Sequence, residues 1–152
     1  MNGFDPLGYG THLILDGFRA DRGPLADADL LDSVLRALGH LLHEAGDVIT
    51  ASVRGHDEEG DGVSAALVAA ESQLCIHTFA GLEKLSLEAF STRSLPTEAI
   101  TRMFVERFRV GRLECRIHGR GRLLPRERAS LEQVLQGERD YARLRLRDLL
   151  GS

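Results

Sequence analysis

Between Val48 and Phe90 the chain strings together short strand-like segments with no room for a helix between them. Val48–Val53 is β-branched and alternating, Val63–Ala70 is an apolar run, Leu74–Phe79 is a third short segment, and Leu85–Phe90 alternates again. The polar stretch His56–Gly62 reads as a turn, and Glu71-Ser72 separates the next two runs. A parallel crossover takes about a dozen residues or more, so segments this closely spaced pair antiparallel.

Helices and two outer strands flank that block. Thr11–Phe18 is short, apolar and bounded by glycines, a first strand. Asp29–Ala45 carries Leu30, Leu31, Val34, Leu35, Leu38, Leu41 and Leu42 at helical spacing, with Asp27 or Asp29 to cap it and Gly46 to stop it. Pro96 opens a second helix that runs to about Phe108, and Gly111 breaks it. Arg112–His118 alternates, with Leu113, Cys115 and Ile117 on one face. Glu127–Leu150 is strongly helical, in two pieces around Gly137. The order predicts an α+β fold: a two-layer sandwich of a mainly antiparallel sheet with helices on one face. Leu13, Leu15, Leu35, Leu38, Val68, Ile76, Leu113 and Ile117 are the expected core. A sheet covered on one side bares the other, so a homodimer is expected.

Composition closes off several function classes. No apolar run is long enough for a transmembrane helix, and the first residues lack the basic and apolar regions of a secretory leader. Two cysteines, Cys75 and Cys115, make no disulfide framework, which fits a cytoplasmic location. A net charge of -4 argues against general nucleic-acid binding, and no membrane partner is expected. Lys84 is the only lysine, so an enzyme built on an internal lysine Schiff base would have to use it. Residues 1–100 hold 6 basic and 16 acidic side chains, residues 101–152 hold 13 and 7. The basic tail suits an acidic partner or, more simply, packing against the acidic half of its own or a twin chain. There is no phosphate-binding glycine loop, no Gly-x-Ser-x-Gly and no Cys-x-x-Cys. His40 and His43 could share a helix face but have no third ligand at metal spacing, so no metal is expected.

The segment 62–79 is the unusual one. A polar Glu71-Ser72 between two apolar runs, with His77 five residues on, is by residue type a hairpin tip and an edge histidine. Its motifs resemble those of the prokaryotic pyruvoyl-dependent S-adenosylmethionine decarboxylases: Gly62-Val63-Ser64, Glu71-Ser72 and Ile76-His77-Thr78-Phe79, in ungapped spacing. Gly10, His12 and Asp16 match a further Gly-x-His-x-x-x-Asp of that family. The likeness covers roughly residues 8–120. It implies a decarboxylase-like domain over 1–125, with 126–152 an arginine-rich helical extension of it.

The resemblance also implies chemistry. The chain would cut itself between Glu71 and Ser72, a zymogen activating autocatalytically. Ser72 would attack the preceding carbonyl and end as a covalent pyruvoyl group. Its ketone forms a Schiff base with a small-molecule amine substrate and takes up the electrons released with carbon dioxide. His77 would be the base of the elimination, Ser64 would assist at the ester, and Glu71 would end the shorter chain. The expected role is S-adenosylmethionine decarboxylation for polyamine (spermidine) biosynthesis, in a dimer with residues of both subunits near Ser72. Three positions depart from the family: Gln73 replaces a histidine, Ala80-Gly81 replaces Pro-Glu, and Thr92 replaces the proton-donating cysteine. A hydroxyl is a far weaker acid than a thiol with its pKa near ~8.5. Cys75 is expected to point away from the neighbours of His77 unless the strand bulges. These departures leave two alternatives: a pyruvoyl decarboxylase of another amino acid, such as arginine or ornithine, and a non-processing paralogue that acts as a binding protein.

Overall fold

The computed structural model describes residues 9–42, 49–57, 60–121, 125 and 127–150. Six strands and four helices follow one another as β1 (Gly10–Phe18), α1 (Arg22–Ala26), α2 (Ala28–Leu41), β2 (Ile49–Asp57), β3 (Gly60–Val68), β4 (Ser72–Phe79), β5 (Lys84–Ser91), α3 (Thr97–Phe108), β6 (Arg112–Arg120) and α4 (Arg128–Leu150). A single 3-10 turn, Ala80–Leu82, links β4 to β5. The strands form one sheet in the order β2-β3-β4-β5-β1-β6. Consecutive hairpins pair β2 with β3, β3 with β4 and β4 with β5, and β5 returns antiparallel to β1. This is the expected α+β architecture.

Residues Gly10–His118 make one compact unit. Period-two alternation sends Leu13 and Leu15 of β1, Val63, Ala65 and Leu67 of β3, Leu74 and Ile76 of β4, and Leu85 and Leu87 of β5 to one face, where all are buried. Helix α2 covers that face with Leu31, Val34, Leu35 and Leu38, an i, i+3, i+4, i+7 stripe, and α3 adds Ile100, Phe104 and Phe108. The carboxylate of Asp27 caps α2, accepting from the amides of Asp29 and Leu30 at 3.0 Å each.

A second unit holds Tyr9 and the described residues from Gly119 onward. There the Tyr9 amide donates to the Arg120 carbonyl at 2.9 Å. Helix α4 runs unbroken through Gly137, so the expected break at that glycine does not occur. One glycine in a long run of helix formers costs too little to end it.

Other expectations need correction. Val68 is 51% and Ile117 53% exposed, so neither belongs to the core. On β3 the buried positions are odd-numbered, and Val68 falls one step later, on the open face. Ile117 shares the edge strand β6 with Leu113, which is only partly buried against the core. Strands β2 and β3 run further than expected into His56–Gly62, pairing as far as Asp57 and Gly60. Helix α1 was not anticipated. The stop at Gly46, together with His43, lies outside the described residues.

Thr78 ties the layers together. Its buried hydroxyl donates to the Leu25 carbonyl of α1 at 2.6 Å and accepts from the Val63 amide of β3 at 2.8 Å. At Gly62 a Cβ would run into the Thr78 carbonyl, which accounts for glycine there. Thr78→Val keeps the shape but strands two buried backbone groups. We expect a loss of about 1–3 kcal/mol in urea unfolding. An unchanged midpoint would show that the tie contributes nothing.

Candidate active site

The Glu71–Ser72 peptide lies where the β3–β4 turn enters β4. The turn is closed by the Ala69 amide, which donates to the Ser72 carbonyl at 2.9 Å. Across from it, β5 ends in register with Ser91 opposite Ser72. Three successive residues there each meet a different part of the junction. The Ser72 hydroxyl donates to Ser91 Oγ at 2.9 Å, with both side chains buried. The Thr92 amide donates to the Glu71 carbonyl oxygen at 3.0 Å, and Thr92 Oγ1 approaches the same oxygen at 3.5 Å. The Arg93 guanidinium pairs with the Glu71 carboxylate. The Arg93 amide also donates to Ser91 Oγ at 3.0 Å. Two donors therefore converge on the one carbonyl that Ser72 would attack.

A second cluster sits on the open face of the sheet. Ser64 of β3 and His77 of β4 are register partners, and His77 Nδ1 lies 2.8 Å from Ser64 Oγ. The other ring nitrogen, Nε2, lies 3.3 Å from Cys75 Sγ. A neutral imidazole offers one donor and one acceptor nitrogen, so His77 can carry a proton between the two neighbours. The expectation for Cys75 was wrong. Residues two apart on a strand share a face, and no bulge is needed to bring Cys75 to His77. Cys75 is also the register partner of Glu88. Burial, and secondarily the Glu88 charge, push the Cys75 thiol above its ordinary pKa. His12 reaches towards Glu88 at 3.9 Å, and Asp16 accepts from Arg116 at 2.6 Å.

The two clusters are separate within one chain. Ser72 and His77 stand five residues apart on β4, so their Cα atoms are about 16 Å apart at a rise of roughly 3.3 Å per residue. Their side chains point to opposite faces, Ser72 into the core and His77 outward. The fold thus unites Glu71, Ser72 and Thr92 at one end, and Ser64 with His77 at the other. Sequence reasoning missed Ser91 and Arg93. Their only signal was adjacency to Thr92, because the register that brings them to Ser72 is a tertiary fact. Among the described residues no group of three or more His, Cys, Asp or Glu is arranged to hold a metal.

A family model described as S-adenosylmethionine decarboxylase matches residues 11–121. No curated protein matches. Among solved structures, the adenosylmethionine decarboxylase from Aquifex aeolicus aligns with a TM-score of 0.61 at 14% identity, over 76% of this chain and 92% of that one. A DUF3240 family protein from Shewanella baltica aligns with a TM-score of 0.32 at 12% identity, over 73% of this chain and 89% of that one.

The environment of Cys75 can be checked by labelling. A thiol held protonated alkylates slowly, since the thiolate is the nucleophile. With iodoacetamide near neutral pH, the exposed Cys115 should label before Cys75, and Glu88→Gln should speed labelling of Cys75. Equal rates at the two thiols in the unaltered protein would contradict this geometry.

Proposed function

The chain belongs to the S-adenosylmethionine decarboxylase family, and from that premise we propose that it processes itself at Glu71–Ser72 into a pyruvoyl-dependent decarboxylase. The observation that carries this reading is the pair of Thr92 groups on the Glu71 carbonyl oxygen. When Ser72 Oγ attacks that carbonyl carbon, negative charge develops on the oxygen, where the Thr92 amide already donates. The carbon–nitrogen bond then breaks, the Ser72 nitrogen takes up the hydroxyl proton, and an ester joins the two parts. A base next removes the α-proton of residue 72, the Cβ–Oγ bond breaks, and Glu71 leaves with its new main-chain carboxylate. Hydrolysis of the resulting enamine-derived imine releases ammonia and leaves the pyruvoyl carbonyl. The residues present fit this group: a serine hydroxyl, a polarised carbonyl before it and donors at hand.

The base of the elimination is His77, oriented by Ser64. Because His77 of the same chain stands about 16 Å away along the strand, it has to come from a second copy. The complete site is therefore composite, in a homodimer built on the open face of the sheet. Exposed Val68 and Phe79 flank the histidine cluster on that face and give a second copy apolar surface to cover. In this assembly Thr92 acts on the Glu71 carbonyl, a different task from that of the thiol it replaces.

The pyruvoyl group supplies an electrophilic carbonyl that draws off the electron pair released with carbon dioxide. Its proposed substrate is S-adenosylmethionine, with a place in polyamine formation. One observation favours a different amino acid, such as arginine or ornithine. Ala80-Gly81 offers no carboxylate, and the next one along, Glu83, is ion-paired to Arg22 at 3.1 Å. A panel of these substrates assayed for released carbon dioxide decides between them.

Co-expression tests the composite site. His77→Ala alone should stall as an ester that hydroxylamine cleaves, and Ser72→Ala alone should stay intact. Together they should yield a pyruvoyl-ended fragment from the His77→Ala chain, because its partner still carries His77. If the mixed preparation shows only the ester, elimination does not use a second copy's histidine.

A further inference from the structure

Ser91 lies at 1% exposure and has no role in the chemistry described so far. A buried hydroxyl normally satisfies itself on nearby backbone. Ser91 does this by accepting from the Arg93 amide at 3.0 Å, and it accepts in addition from the Ser72 hydroxyl at 2.9 Å. The first of these bonds ties Ser91 to its own turn. The second fixes the side chain of the residue that must attack.

We propose that Ser91 is a positioning residue for self-cleavage, holding the Ser72 hydroxyl in the rotamer from which it reaches the Glu71 carbonyl. This rests on the reading of Ser72 as the attacking group. A free serine side chain samples three staggered positions. The carbonyl it must attack is fixed independently by Thr92, so an unheld hydroxyl spends most of its time out of line. With the Ser72 proton directed at Ser91 Oγ, the lone pairs of Ser72 Oγ remain for the carbonyl carbon. The amide of Arg93 keeps Ser91 Oγ in place while it does this. The Arg93 side chain meanwhile holds the carboxylate of Glu71. The three residues Ser91 to Arg93, starting from the last position of β5, therefore position the nucleophile, the carbonyl and the acyl side of the bond.

The test follows the cut by intact mass over time after synthesis. Ser91→Thr and Ser91→Val add nearly the same bulk to the site and differ chiefly in the hydroxyl. Any packing cost therefore falls on both, while Ser91→Val also leaves the Arg93 amide without its acceptor and should melt lower. Ser91→Thr should cleave at close to the rate of the unaltered protein. Ser91→Val and Ser91→Ala should cleave about ten- to a hundredfold more slowly, the scale of a misplaced reacting group. Hydroxylamine adds a readout that a loss of packing would not move. A defect in the attack leaves no ester to trap, whereas a defect in elimination lets ester accumulate. Ester accumulating in Ser91→Val, or cleavage of Ser91→Val as fast as Ser91→Thr, would overturn the proposal. If the unaltered protein itself stays uncut, the failure lies with the reading of Ser72, and the role of Ser91 falls with it.

Discussion

The alignment of β4 against β5 carries the whole Glu71–Ser72 junction. Antiparallel pairing with Ser72 opposite Ser91 puts two hydroxyls face to face and lets the next amide, that of Thr92, reach the Glu71 carbonyl. Strand side chains alternate with period two, so a slip of one residue would turn Ser72 out of the core and replace Thr92 by a neighbour. The register is held by burial of Leu74, Ile76, Leu85 and Leu87 beneath α2 and α3, and a slip would expose them all. The hydrophobic core thereby positions the polar site at the end of β5.

The same alternation divides the chemistry between two faces. One strand cannot point Ser72 and His77 in the same direction, because they are an odd number of residues apart. It can offer the attacked bond at its start and the base further along, each to a different neighbour. This physical division is the reason for assigning the two halves of the proposed reaction to two copies of the chain. The proposed dimer would also give the open face a use beyond solvent contact. Ser64, Cys75 and His77 line up there across two strands, with apolar side chains beside them.

Much of this was legible in the residues. Hairpin-length spacing fixed the antiparallel block, and the leucine stripe fixed α2. Glycine 111 marked a real boundary, and Leu13, Leu15, Leu35, Leu38 and Ile76 proved to be core. Failures came where a local signal met a tertiary one. Val68 looked like core by hydropathy, yet its strand parity puts it outside. Gly137 looked like a breaker, yet α4 continues. The polar run around Asp57 looked like a long turn, yet pairing of β2 with β3 continues into it. At the site, Glu71, Ser72, Ser64 and His77 stood out by motif. Ser91, Arg93 and the closeness of Cys75 to His77 emerge only from register and face.

The intact mass of the purified, unaltered protein tests the central claim most directly. Self-processing predicts two chains, one ending at Glu71 and one beginning at a blocked residue 72. Their summed mass should equal that of the full chain plus one water and minus one ammonia. A single chain of full mass after prolonged incubation would contradict the account and leave a non-processing binding protein on a decarboxylase fold.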